Sequence, residues 1–282
     1  MRTDVELIHG SDTTIAVYDL GGDGVPVLFV HATGFCAEVW RPVVQRMDGI
    51  HAMALDVRCH GRSGRVPHDL LQWTEVAHDV TAAARHFGLS GAVGVGHSMG
   101  GALLLLAEAA RPGTFRGLWG YEPIVFPPEV FEGDGTDDNP LSAGAARRRA
   151  SFPSRDAARE NFASKPPMQA FAADALDGYL DGGFEELEDG SVTLRCRPED
   201  EAHFYRMGGS HRAWDRLPDL ELPVWVARGA ETEPGPASVA PMLADRLPAG
   251  RLVEHPELGH FGPMEAPEVV AAELTAAIAA FG

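Results

Sequence analysis

The chain has 282 residues, 45% of them hydrophobic and 23% charged, with 23 Lys and Arg against 41 Asp and Glu and a formal net charge of −18. That length fits one large domain, or a core carrying an insertion, with enough apolar residues to bury a sizeable interior. The charge balance excludes nucleic acid and anionic membranes as expected partners, because both call for clustered positive charge.

In chain order, VELIHG and TTIAVYDL predict a hairpin around Gly10-Ser11-Asp12. PVLFV, IHAMALD, GAVGVG and FRGLWGY follow as short apolar runs, the pattern of strands buried on both faces. Helical patterns over 37–47, 73–87 and 99–110 fill the gaps. The alternation returns at the end with strand LPVWVAR, helix ASVAPMLADRL, strand GRLVEH and helix APEVVAAELTAAIAAF. Strands alternating with helices imply an α/β fold with a mostly parallel sheet.

The middle breaks this rhythm. PPEVFEGDGTDDNP reads as a turn-rich loop. Helix-like pieces AGAARRRA, RDAARENFA and MQAFAADALDGYL follow, then the polar pair FEELEDGSVTLRCRP with a turn at Asp189-Gly190. The expected organisation is a core of 1–126 and 210–282 with a mostly helical cap inserted at 127–209. Phe152, Phe162, Phe171, Tyr179 and Phe184 need burial, so this segment is no linker. Arg147-Arg148-Arg149, the one basic cluster, reads as a solvated helix face.

Cys36, Cys59 and Cys196 are too sparse for a disulfide framework, and the twelve histidines include no HxH or HExxH, so no metal is expected. The N-terminus lacks an apolar signal region, and the longest apolar stretch, ALLLLAEAA, is too short to span a bilayer. A soluble, cytoplasmic protein with a small-molecule substrate is the expectation.

GHSMG, residues 96–100, stands between the run GAVGVG and the helix that starts at Met99, which is the setting G-x-S-x-G requires. A nucleophile on so sharp a turn needs nearly bare neighbours two positions away on each side, and Gly96 and Gly100 fill them. Ser98 is therefore the candidate nucleophile. HATGF, residues 31–35, ends the third strand where an oxyanion loop belongs, making the backbone N–H groups of Thr33 and Met99 the candidate donors. The Thr33 hydroxyl is a further possible oxyanion partner, and His31 is read as a brace. His260 in ELGHFGPMEAP follows the last strand and is the candidate general base.

With DVRCHGRSG at 56–64, these motifs together resemble the α/β-hydrolase family, over the core at both ends of the chain. The resemblance implies an eight-stranded, mostly parallel sheet, a Ser–acid–His triad, a pocket-shaping cap and a reaction without cofactor. Relatives with an aspartate nucleophile, the haloalkane dehalogenases and epoxide hydrolases, do not match Ser98.

The family most often places its acid after the seventh strand, about three residues beyond a glycine. Here that glycine is Gly229, and the position holds Thr232 between Glu231 and Glu233. Threonine carries no charge to orient an imidazolium. Glu122, at the end of FRGLWGYE, resembles the minority pattern with the acid after the sixth strand. Glu122 is the expected acid, with Glu231 and Glu233 as the fallback. The function read from this set is that of a serine esterase-type hydrolase acting on an ester, lactone or thioester of a small, partly apolar molecule. Carbon–carbon hydrolysis, peroxide-dependent chemistry and cyclisation remain alternatives on the same fold, and a non-catalytic ligand receptor is the alternative of another class.

Overall fold

A computed structural model describes residues 4–89, 91–129, 140–230 and 235–282. Eight strands form the main sheet: β1 (Asp4–His9), β2 (Thr14–Gly21), β3 (Val25–Val30), β4 (Ile50–Leu55), β5 (Ala92–His97), β6 (Phe115–Tyr121) and, later in the chain, β10 (Val224–Arg228) and β11 (Gly250–Glu254). Their spatial order is β1-β2-β4-β3-β5-β6-β10-β11. The β1–β2 and β2–β4 pairs are antiparallel, and from β4 to β11 the neighbours run parallel. This is the α/β-hydrolase sheet expected from the sequence.

Helices α1 (Arg41–Val44), α2 (Trp73–His86) and α3 (Met99–Ala110) connect the first strands. The predicted helix at 37–47 is a 3-10 turn at Ala37–Trp40 running into the single turn α1, because Pro42 removes a backbone donor at the start of the helix. The central strand β5, AVGVGH, is buried from end to end. Apolar side chains leave such a strand on both faces, so the interior is two layers, one on each side of the sheet.

Among the described residues, the chain adds no strand to the main sheet between β6 and β10. It forms α4 (Pro140–Ala146), α5 (Arg155–Ala163), α6 (Ala173–Gly183), α7 (Pro198–Met207) and α8 (Ala213–Arg216). A second, three-stranded antiparallel sheet accompanies them, built from β7 (Ser151–Phe152), β8 (Phe184–Glu186) and β9 (Val192–Leu194) in the order β7-β9-β8. The β8–β9 pair is the hairpin expected around Asp189-Gly190, with Gly190 at φ 80. Strand β7 and helix α7 were not foreseen. β7 is two residues long and shows no period. α7 carries legible signals: Pro198 at its start, Glu199, Asp200 and Glu201 in its first turn, and Arg206 in its last.

The loop PPEVFEGDGTDDNP lies largely outside the described residues. The chain closes with α9 (Pro236–Arg246), α10 (Gly262–Glu265) and α11 (Pro267–Ala280). No helix among the described residues is long and apolar enough to cross a membrane.

Candidate active site

The strand order reverses direction at β3. The chain steps from β3 outward to β4, then returns to place β5 on the other side of β3. Loops at the carboxyl ends of two such strands diverge and leave a crevice between them. HATGF leaves β3 and GHSMG leaves β5 at this point, with Val30 paired to Gly96.

Ser98 sits at φ 55 and ψ −114, a conformation that costs a non-glycine residue about 1–3 kcal/mol. Its surroundings enforce the turn. Ser98 N–H donates to Tyr121 O at 2.9 Å, while Ser98 O accepts from Ile124 N at 3.2 Å and from Ala102 N at 3.3 Å. Both flanking glycines are dictated by backbone crowding. A Cβ on Gly100 would stand 2.1 Å from Val30 O, and one on Gly96 2.5 Å from Gly101 N.

Glu122 follows β6 directly, at φ 44, and is 1% exposed. Its carboxylate accepts from His260 Nδ1 at 2.6 Å through Oε2 and from Gly229 N at 2.9 Å through Oε1. Its own N–H donates to Ala227 O at 2.8 Å. The buried carboxylate is thus fixed from β10 and faces the histidine. Because Nδ1 is the donor, His260 keeps Nε2 as an acceptor in its neutral form. Glu231 and Glu233, the fallback acids, lie outside the described residues.

The loop bearing His260 is tied on three sides. Gly259 N donates to Glu265 Oε2 at 2.8 Å, Tyr121 OH donates to Gly259 O at 2.8 Å, and His97 Nε2 donates to His260 O at 2.8 Å. Sequence reasoning passed over His97, the variable second residue of GHSMG. It is fully buried, its ring centroid lies 5.0 Å from that of His260, and its Nδ1 finds no partner among the described residues. Burial, then the proximity of His260, holds its pKa well below the ordinary value, so the ring is neutral.

Across the crevice, the HATGF loop is held by its neighbours. His31 accepts from Val57 N at 2.9 Å through Nε2, which ties the end of β3 to the DVRCHGRSG loop. His60 of that loop donates through Nδ1 to Arg58 O at 3.0 Å and accepts from Gly34 N at 3.0 Å through Nε2. Desolvation brings His60 down to a pKa of about 4, so it stays neutral and able to accept. Asp56 accepts from Ala37 N, Arg62 N and Tyr18 OH, each at 2.7 Å. Cys59 of the same loop adopts φ 63. The backbone N–H groups of Thr33 and Met99 reach no acceptor among the described residues, and both residues are buried beside the elbow. The Thr33 hydroxyl donates to Met99 Sδ at 3.4 Å.

The segment between β6 and β10 packs on the loop after β3. Phe35 meets Phe171 at 6.0 Å, Tyr179 at 5.3 Å and Phe261 at 5.6 Å between ring centroids, and the Phe261 ring lies 5.0 Å from that of His260. Phe152, Phe162 and Phe184 pack on one another and on Tyr179 instead, as that segment's own core. Of the basic triplet expected to be solvated, Arg147 and Arg149 are exposed, but Arg148 is not. Its guanidinium lies over Phe162 and Tyr179 and bonds both oxygens of Glu201, at 2.9 and 2.7 Å, and the Tyr179 hydroxyl. Glu201 in turn packs against Gly34, where a Cβ would come within 2.5 Å of Oε1. Only a long-range neighbour such as Glu201 makes burial of this arginine favourable, and its residue type alone does not reveal that. No group of metal-ligating side chains occurs among the described residues.

The family model described as the alpha/beta hydrolase family matches residues 27–273. The chain belongs to this family. Among similar proteins, a non-heme chloroperoxidase of Streptomyces lividans is 28% identical over 94% of this chain and 96% of its own length. A putative carbamate hydrolase, RutD, of Azorhizobium caulinodans is 25% identical over 87% of this chain and 88% of its own. The solved structure of E-2-(acetamidomethylene)succinate hydrolase superposes with a TM-score of 0.83 at 23% identity, covering 99% of this chain and all of that one. Of these three, two are named as hydrolases.

Proposed function

We propose that this protein is a serine hydrolase that cleaves an ester, lactone or thioester of a small, partly apolar molecule through an acyl-enzyme. The observation that carries the reading is the buried Glu122 carboxylate on His260 Nδ1, at the same sheet edge as the strained Ser98. In this mechanism His260 Nε2 takes the Ser98 hydroxyl proton as the oxygen attacks the carbonyl carbon. The resulting oxyanion is received by the N–H groups of Thr33 and Met99, each donor stabilising the transition state by about 3 kcal/mol. Protonated His260, steadied by Glu122, then gives the proton to the leaving group. Water, deprotonated by His260, releases the acyl group from Ser98 and regenerates the enzyme.

The rings of Phe35, Phe171 and Phe261 support an apolar part in the substrate. Segment 127–209 serves as the cap in this reading, and the reaction needs no cofactor. A panel of p-nitrophenyl esters, thioesters and lactones tests it, with Ser98→Ala as control and fluorophosphonate labelling of Ser98 as a readout independent of substrate. Ester turnover that survives Ser98→Ala removes the nucleophile from the scheme, and absence of labelling favours a receptor.

A second reading is favoured by the 28% identity to the chloroperoxidase. Hydrogen peroxide replacing water at the acyl-enzyme yields a peracid from the same residues. Peracid formation from a short carboxylic acid and peroxide, lost in Ser98→Ala, distinguishes it.

A further inference from the structure

A groove of about 490 Å³ lies away from the crevice, between the loop after β4 and the wall that runs from β9 to the start of α7. Arg62 and Arg65 line it from the loop, and Arg195 and Arg197 from the facing wall. The acidic side chains on the lining are Glu185 and Glu199, both exposed. Four arginines against two glutamates is the reverse of the whole chain, which has 41 acidic and 23 basic side chains.

Most of the guanidinium donors in the groove are open. Among the described residues the Arg62 side chain enters no hydrogen bond or ion pair; its backbone N–H alone is used, on Asp56. Arg195 uses Nε, on Phe184 O at 2.9 Å, which leaves its two terminal nitrogens. Arg197 reaches Glu199 only at 4.0 Å, between two exposed side chains. Arg65 spends one terminal nitrogen on Asp200.

Like charges gathered in one concave place repel one another, and an anion seated among them removes that repulsion. Guanidinium forks match the paired oxygens of a phosphate, with geometry that a single ammonium lacks. The volume falls within the range of small-molecule sites, roughly 300–1,000 Å³. We propose that this groove binds a compact phosphate-bearing anion of two or more negative charges, which bridges the loop after β4 and the β9–α7 wall. The proposal is independent of the reaction assigned to Ser98.

Inorganic pyrophosphate is the probe, titrated calorimetrically into the full-length protein at constant ionic strength, with thermal melting in parallel. One saturable site and a rise in melting temperature are expected. The double variant Arg62→Gln/Arg195→Gln binds roughly tenfold or more weakly, having lost two charge-assisted contacts. Arg62→Gln alone changes an exposed side chain that has no partner among the described residues, keeps the fold, and weakens binding by about half that effect on a logarithmic scale. Non-saturable heats, affinity unchanged in both variants, or citrate bound as tightly as pyrophosphate each overturn the proposal.

Discussion

Glu122 and His260 stand 138 positions apart in the chain and 2.6 Å apart at Oε2 and Nδ1. The second carboxylate oxygen takes the N–H of Gly229, so the turn after β10 supplies a backbone donor to the acid. If this carboxylate orients the imidazole, Glu122→Gln lowers kcat by about 10³–10⁴-fold, the scale for losing a triad acid. Glu231→Gln and Glu233→Gln leave kcat near wild type. Steady-state kinetics on a p-nitrophenyl ester measures all three, and a full-rate Glu122→Gln enzyme sinks the assignment.

Gly100 is set by a different constraint, the carbonyl of Val30. An alanine Cβ would lie 2.1 Å from that oxygen, so β3 and α3 must separate. Gly100→Ala is expected to cost about 1–3 kcal/mol of stability, as overpacking does, and to reduce Ser98 labelling sharply. Denaturant melts and fluorophosphonate labelling measure the two effects.

His97 fastens the backbone of the histidine loop through one N–H. Its loss displaces His260 without touching Glu122. His97→Phe is expected to lower kcat about tenfold or more with a smaller change in KM, since a sub-ångström shift of a catalytic group acts on the transition state. His97→Gln, which keeps a side-chain N–H donor, restores part of the rate. Equal loss in both variants would falsify the hydrogen-bond account.

Arg148 and Glu201 form an ion pair largely removed from water above Gly34. Arg148→Met leaves the Glu201 carboxylate buried without its cation, which destabilises by on the order of 3 kcal/mol. The double change Arg148→Met/Glu201→Met recovers much of that loss, because no charge then remains unpaired. Chemical denaturation of four proteins, the wild type, Arg148→Met, Glu201→Met and the double variant, closes this cycle, and additive losses would show that the two side chains act separately.

Acid stability follows from the buried histidines. His60 and His211 have folded pKa values near 4 against 6.5 unfolded, and His31 and His97 are also held low, all chiefly by desolvation. A depressed histidine stabilises the fold above pH 6.5 and loses that contribution as pH falls through the folded value. Each shift of this size corresponds to on the order of 3 kcal/mol. Asp56, raised to about 6, acts with the opposite sign and becomes less unfavourable as pH falls toward 3.8. Four histidines outweigh one aspartate, so the melting temperature drops between pH 6.5 and 4, and His60→Gln flattens the slope.

Local order was legible in the chain. The glycines around Ser98 and the apolar runs of β3, β5 and β6 are short-range rules, set by sterics within a few residues and by strands buried on both faces. They determined the sheet, the elbow and the position of His260 after the last strand. Glu122 was nominated by its place at the end of β6, but what sets it on His260 is the neighbouring of β6 with β5 and β10, a property of strand order. The partners of His97 and Arg148 were illegible for the same reason. A histidine beside a nucleophile and an arginine in a basic triplet each have an unremarkable local pattern. Their burial depends on His260 O and on Glu201, brought there from 163 and 53 residues away. The sequence by itself determined which chemical groups are present and which turn holds the serine; the tertiary structure alone decided which of them face one another, because hydrogen bonds and desolvation act through space.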